Sequence, residues 1–144
     1  MKPSWYEIAQ GELGVKELAG GAAEARIVKY HATTTLKATS DEISWCSSFV
    51  NWCITRAGLK GTNFANARSW LTWGKRLDEP QEGCIVVFRR GTNPKSGHVA
   101  FFVGQDGNYI RVLGGNQGDM VKVLCFPVAD VLGYRWPMNR SEDL

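Results

Sequence analysis

Apolar residues recur at intervals of three and four along the first half of the chain and gather into short unbroken runs along the second half. Trp5, Ile8, Ala9 and Leu13 lie on one helical face; Ser4 with Glu7 three residues on has the form of a capping box, and Gly14 stops the pattern. The spacing predicts a first helix there. Residues 22–30 carry a weaker helical pattern, followed by a threonine-rich polar stretch, 31–42, that reads as a loop. Over 44–57, Cys46, Phe49, Val50, Cys53, Ile54 and Ala57 share one face, with Ser44 or a neighbour as N-cap and Gly58 as the stop. That is the expected central, buried helix. Phe64, Ala67, Trp70 and Leu71 extend a further helical pattern over 64–73, ended by Gly74.

After Pro80 the period changes. Runs at 84–88, 98–103, 109–113, 121–126 and 132–136 are β-branched or aromatic and are separated by Gly, Asn, Asp or Pro, which predicts strands. Gln105-Asp106-Gly107-Asn108 reads as a hairpin turn, with Val103 opposite Asn108 and His98 opposite Leu113. Helices first and a meander second predict one α+β domain over residues 1–144, a length that supports a single core.

Charge narrows the function only by exclusion. Seventeen basic against fourteen acidic residues leave a net charge of +3, without the Lys/Arg stripe of a nucleic-acid binder. Glu7 precedes any apolar stretch of signal-peptide length and no run approaches membrane-spanning length, so the chain reads as a soluble, cytosolically made protein without stable membrane insertion. Cys46 and Cys53, seven residues apart on one helix, would lie ~10 Å apart, beyond disulfide reach. No Cys-x-x-Cys pair and only two histidines argue against a metal site.

The chemistry rests on Cys46 and His98. A cysteine in the first turn of a helix is placed where unpaired amides and the helix dipole favour the thiolate, whereas Cys53, two turns deeper, reads as packing. Cys84 and Cys125 fall inside strands. His98 opens an apolar strand and is preferred as base over His31, which lies in the loop. A third group is needed to hold the imidazole. Gly114-Gly115 permit φ > 0 and a reversal that would bring Asn116 back to His98, although the same residues also read simply as a turn. Gln117 and Asp119 are the alternative orienting groups. Asp41 and Glu42 are N-terminal charges of the central helix, and Arg68, Lys75 and Arg76 either meet substrate carboxylates or form a solvated face.

The ordered stretches Trp45-Cys46 with Phe49-Val50-Asn51-Trp52, Ala67-Arg68-Ser69-Trp70-Leu71 with Trp73-Gly74, Gly97-His98-Val99 with Val103-Gly104, and Val112-Leu113-Gly114-Gly115-Asn116-Gln117 resemble the CHAP group (cysteine, histidine-dependent amidohydrolase/peptidase) of the NlpC-like, papain-related cell-wall hydrolases, above all a compact phage-associated subgroup. Ser44 replaces a usual proline, Ser47-Ser48 a small apolar pair, and an amide stands where many members use glutamate. The resemblance implies a papain-like α+β fold with Cys46 as nucleophile, His98 as base and acid, and Asn116 as orienting residue. It also implies substrate contacts from Trp45, Arg68, Trp70 and Gln117, no cofactor or metal, and bacterial peptidoglycan as the substrate of a monomeric enzyme. The reaction expected is thiol-mediated cleavage of the muramoyl-alanine bond or of the stem peptide. The setting expected is a phage endolysin, made in the host cytoplasm without a signal peptide and acting on the wall in the periplasm after release. A secreted effector amidase and a non-catalytic peptidoglycan-binding module are the other readings.

Overall fold

A computed structural model describes residues 2–16, 25–34, 45–94 and 96–138. The chain forms α1 (Ser4–Gly11), α2 (Ala25–His31) and α3 (Cys46–Arg56), then a 3-10 segment, Ala67–Thr72, and six strands. The strands are β1 (Lys75–Leu77), β2 (Ile85–Arg89), β3 (Gly97–Asp106), β4 (Tyr109–Gln117), β5 (Met120–Pro127) and β6 (Val131–Trp136), with a 3-10 turn, Val128–Asp130, between the last two. They build one antiparallel sheet in the order β1-β6-β2-β3-β4-β5. The expected α+β architecture holds, but the sheet is not a plain meander, because β6 returns between β1 and β2.

Every residue of α3 from Cys46 to Ile54 is buried, since α1 and α2 pack on the helix from one side and β3 and β4 from the other. Burial of a side chain such as Phe49 contributes roughly 1.5–3 kcal/mol, so this helix anchors the domain. The central strands alternate between two faces. Ile85, Val87, Val99, Phe101 and Leu113 face the helices, while Cys84, Val86, Phe88, Ala100, Phe102, Ile110 and Val112 form a second core on the other face. With both faces covered, β3 has to be apolar at consecutive positions, which is why its sequence is a run and not an alternation.

Four local expectations change. Pro3, and not Ser4, sits at the N-cap of α1, no side-chain cap forms, and the helix ends at Gly11, leaving Leu13 49% exposed. His31 closes α2 and does not begin the loop; Asp41, Glu42 and Ser44 lie outside the described residues. The stretch 64–73 is helical only over Ala67–Thr72, after an extended approach in which Asn63 takes φ 63°. Strand β1 has no sequence signature, because Lys75-Arg76-Leu77 neither alternates nor branches at Cβ.

The β3–β4 hairpin also pairs differently. Its loop is two residues, Gly107-Asn108, with Asp106 opposite Tyr109, and beyond a bulge Leu113 meets Phe101 and not His98. A two-residue loop tightens the turn and slides β4 three residues along β3. This register brings the Gly114–Gln117 end of β4 level with the start of β3, where His98 sits.

Candidate active site

Cys46 is the first residue of α3, where backbone N–H groups have no partner within the helix. Its sulfur is nearly enclosed, with 3% of the residue exposed. Burial is the largest influence on the thiol and opposes ionisation. The charge of His98, a hydrogen bond with that side chain, a backbone hydrogen bond at Val99 and the charge of Arg90 together outweigh it and hold the Cys46 thiol below its ordinary value. The other buried thiols respond in the opposite direction: burial, then the charge of Glu12, raises Cys53, and burial pushes Cys84 up to about 12. One sulfur is therefore distinguished from its neighbours by what surrounds it.

His98 is 2% exposed, and its ring packs against the Phe88–Phe126 pair, with centroids 6.2 and 5.2 Å away. Its Nε2 is 2.8 Å from Oε1 of Gln117. The amide cannot be reversed without loss, because its Nε2 donates to the carbonyls of Lys122 at 2.6 Å and Val112 at 3.3 Å. An amide oxygen only accepts, so Nε2 of His98 carries a proton and Nδ1 is left to exchange one with the thiol. Nδ1 is buried and closes no hydrogen bond of full geometry, so the sulfur is near enough to feel the imidazole but not locked to it.

The side chain hydrogen-bonded to Nε2 of His98 is thus that of Gln117, where Asn116 is the residue the sequence leads one to expect. The reason is conformational. Gly114 and Gly115 keep ordinary φ values, while Asn116 itself takes φ 58°. That single left-handed residue breaks the alternation of β4 and turns the Gln117 side chain to the imidazole. The two glycines serve close approach instead of reversal. A Cβ on Gly114 would meet Oε1 of Gln117 and Cβ of Ala100 at 2.8 Å, and one on Gly115 would meet Phe49 and the Trp45 ring at 2.7 Å. Asp119, exposed in the turn before β5, is not the group on His98.

His31 is placed elsewhere. It is fully buried, with Nδ1 2.8 Å from Oγ of Ser48, and the groups that act on the Cys46 thiol do not include it. Ser47 is tied as firmly: its Oγ donates to the carbonyl of Phe64 at 2.7 Å and accepts from Nε1 of Trp70 at 2.9 Å. The serine pair thus fastens α2, the 62–64 segment and the 3-10 segment to the first turn of α3. Only the unusual polarity of Ser47-Ser48 in an otherwise apolar stretch hinted at this role.

The four residues expected to contact substrate are engaged within the protein. Trp45 and Trp70 are fully buried; Trp45 stacks on Tyr30 at 5.9 Å, and Trp70 supports Ser47. The guanidinium of Arg68 is committed to the protein, with Nε donating to the carbonyl of Ser96 at 2.7 Å and an Nη to that of Asn93 at 3.4 Å. It clamps the loop that leads into His98, and its Cγ lies 3.3 Å from where a Cβ on Gly97 would stand. Gln117 is held by His98 and two carbonyls, so its role is orientation. Surface open to a ligand lies close by instead: a groove of about 460 Å³, lined by Thr62, Phe64, Asn66, Ser69, Thr72 and Trp73, begins at the segment that Ser47 holds. It contains no charged side chain.

Among the described residues, no group of three or more His, Cys, Asp or Glu side chains could hold a metal ion, and no helix is long and apolar enough to cross a membrane. The arrangement suits a nucleophilic thiol, a proton carrier and an orienting amide, contributed by α3, β3 and β4 in turn.

The fold is shared with solved structures of low sequence identity. An NlpC/P60 family protein from Bacillus cereus ATCC 10987 superposes with a TM-score of 0.59 at 15% identity over 94% of this chain and 40% of its own. The wild-type endolysin LysIME-EF1 gives 0.61 at 13% identity over 98% of this chain and 67% of its own. An NLP/P60 family protein similar to lipoprotein, from Staphylococcus aureus subsp. aureus Mu50, gives 0.54 at 18% identity over 94% and 41%. The chain thus spans about two fifths of the Bacillus and Staphylococcus proteins. No curated protein matches it. The CHAP domain family matches residues 38–116, more than half of the sequence and a span that holds Cys46, His98 and Asn116. By that match, and with a papain-like sheet and helix arranged around a cysteine and a histidine, the chain belongs to the CHAP domain family.

Proposed function

We propose that this protein hydrolyses an amide bond of bacterial peptidoglycan through Cys46, His98 and Gln117, with a thioester intermediate and no cofactor. The observation that carries this reading is the Cys46 thiol held below its ordinary value beside an imidazole whose far nitrogen is fixed by Gln117. In the reaction the Cys46 thiolate attacks the amide carbonyl, and the backbone N–H of Cys46, free at the helix start, meets the developing oxyanion. Nδ1 of His98 gives its proton to the leaving amine; it then takes one from the water that attacks the thioester, and the sulfur leaves as thiolate. Gln117 acts through the imidazole. The uncharged groove beside Phe64 suits a neutral part of the polymer.

CHAP membership and the endolysin-like fold support the cell wall as the target. The reading includes an endolysin-like, monomeric enzyme that reaches the wall from inside a bacterium. The test is digestion of purified peptidoglycan followed by mass spectrometry of the soluble products. A new N-terminal alanine with intact glycan marks the muramoyl-alanine bond, and split stem peptides mark an endopeptidase. Unchanged polymer would reject the reading.

The assignment of the third residue carries its own expected outcome. Gln117→Leu should lower kcat by ~10²-fold, the scale of a lost orienting group, and should shift the pH dependence because the imidazole loses its acceptor. Asn116→Gly keeps the positive φ while removing the side chain, and turnover should stay within a few-fold. Steady-state kinetics over pH on both variants checks this; the opposite ranking would return the role to Asn116.

A further inference from the structure

Three arginines surround the loop that joins β2 to β3 beside His98, and two of them are spent on the protein itself. Arg68 holds the carbonyls of Ser96 and Asn93, and Arg89 pairs with Asp130 at 3.0 Å. Arg90 follows directly. Its side chain is exposed, and among the described residues it has neither an ion pair nor a hydrogen bond. The ends of the loop are tied, because Arg89 is paired with Gly97 across the sheet, the amide of Ser96 donates to the carbonyl of Asn93 at 3.1 Å, and Gly97 packs against Phe88 and Arg68.

We propose that Arg90 is a carboxylate-binding residue at the mouth of the site, so that the preferred substrate is a peptide amide carrying a free carboxylate close to the scissile bond. A guanidinium without a partner offers two parallel N–H donors that match a carboxylate, and a neutral carboxamide gives one weaker acceptor in the same place. The position is near the chemistry by strand register, since Phe88, two residues before Arg90, pairs with His98 across the sheet, and the charge of Arg90 acts in the same direction as that of His98 on the Cys46 thiol. The groove at Phe64 has no charged side chain in its lining and offers a carboxylate no competing cation. This inference rests on Cys46 as the point of attack in a peptide-bearing polymer.

The test separates it from that reading by measuring binding without turnover. In the Cys46→Ala background, soluble stem-peptide fragments with glutamate carboxylates, and the same fragments with carboxamides, are titrated calorimetrically. The carboxylate form should bind ~10-fold more tightly, as expected of a charge-assisted pair. Arg90→Gln should bring that ratio to about one, and Arg90→Lys should retain part of it, each with an unchanged thermal melt. A ratio that survives Arg90→Gln, or the absence of any preference before it, would overturn the proposal. Because the alanine variant has no nucleophile, a preserved ratio in a protein whose wild type cleaves nothing would uphold Arg90 while rejecting the hydrolase. Cleavage without a ratio would do the reverse.

Discussion

Replacing Cys46 by alanine is expected to abolish release of soluble products from peptidoglycan, with a fall of at least ~10³-fold and no loss of fold. The attacking atom is then gone, and no other thiol can replace it: Cys53 and Cys84 are fully buried with their thiols raised, and Cys125 is exposed on β5, opposite Arg111. The substitution removes one sulfur from a nearly enclosed position, so the melting temperature should move by only a few degrees. Circular dichroism and turbidity assays on the same preparation read both quantities. Lysis by the alanine variant at wild-type rate would turn attention to the non-catalytic binding module.

His98→Ala should reduce turnover by a comparable factor, and for two reasons. In the proposed mechanism the imidazole delivers a proton to the leaving amine, and it is the largest of the influences that, with Val99 and Arg90, offset the burial of the thiol. Without it, burial would prevail and the Cys46 thiol would rise, so the variant should regain some reactivity only at higher pH. In the wild type the sign is opposite: reaction requires thiolate, so the acid limb of the pH profile falls below the ordinary thiol range. His31→Ala provides the comparison. It removes a buried partner of Ser48, so its cost should appear in the melting temperature while turnover per folded molecule stays measurable. Loss of turnover in His31→Ala with retention in His98→Ala would reverse the base assignment.

Much of this site could be read in the sequence, and what could not has identifiable causes. Apolar spacing located α3 and the β3 run, and the position of Cys46 in the first turn separated it from Cys53 without any coordinates. The choice between Asn116 and Gln117 depends on a three-residue shift of hairpin register and on a left-handed φ at Asn116, neither of which side-chain pattern encodes. The glycine pair was recognised as special for the wrong physical reason: space, not reversal, is what Gly114 and Gly115 provide. Tryptophans and arginines were harder still. Trp45, Trp70 and Arg68 have the chemistry of ligand contacts, yet long-range packing and two loop carbonyls use them internally, while Arg90 lies in no motif.

On the proposed mechanism, His98 holds the Cys46 thiol below its ordinary value despite its burial. The most direct measurement is the rate of iodoacetamide alkylation of Cys46 as a function of pH, followed by peptide mass spectrometry in a Cys125→Ser background so that the exposed thiol does not contribute. Labelling of Cys46 should rise at a pH below the ordinary thiol value, and the rise should move upward in His98→Ala. A midpoint at or above the ordinary value, or one that His98→Ala leaves in place, would contradict the account.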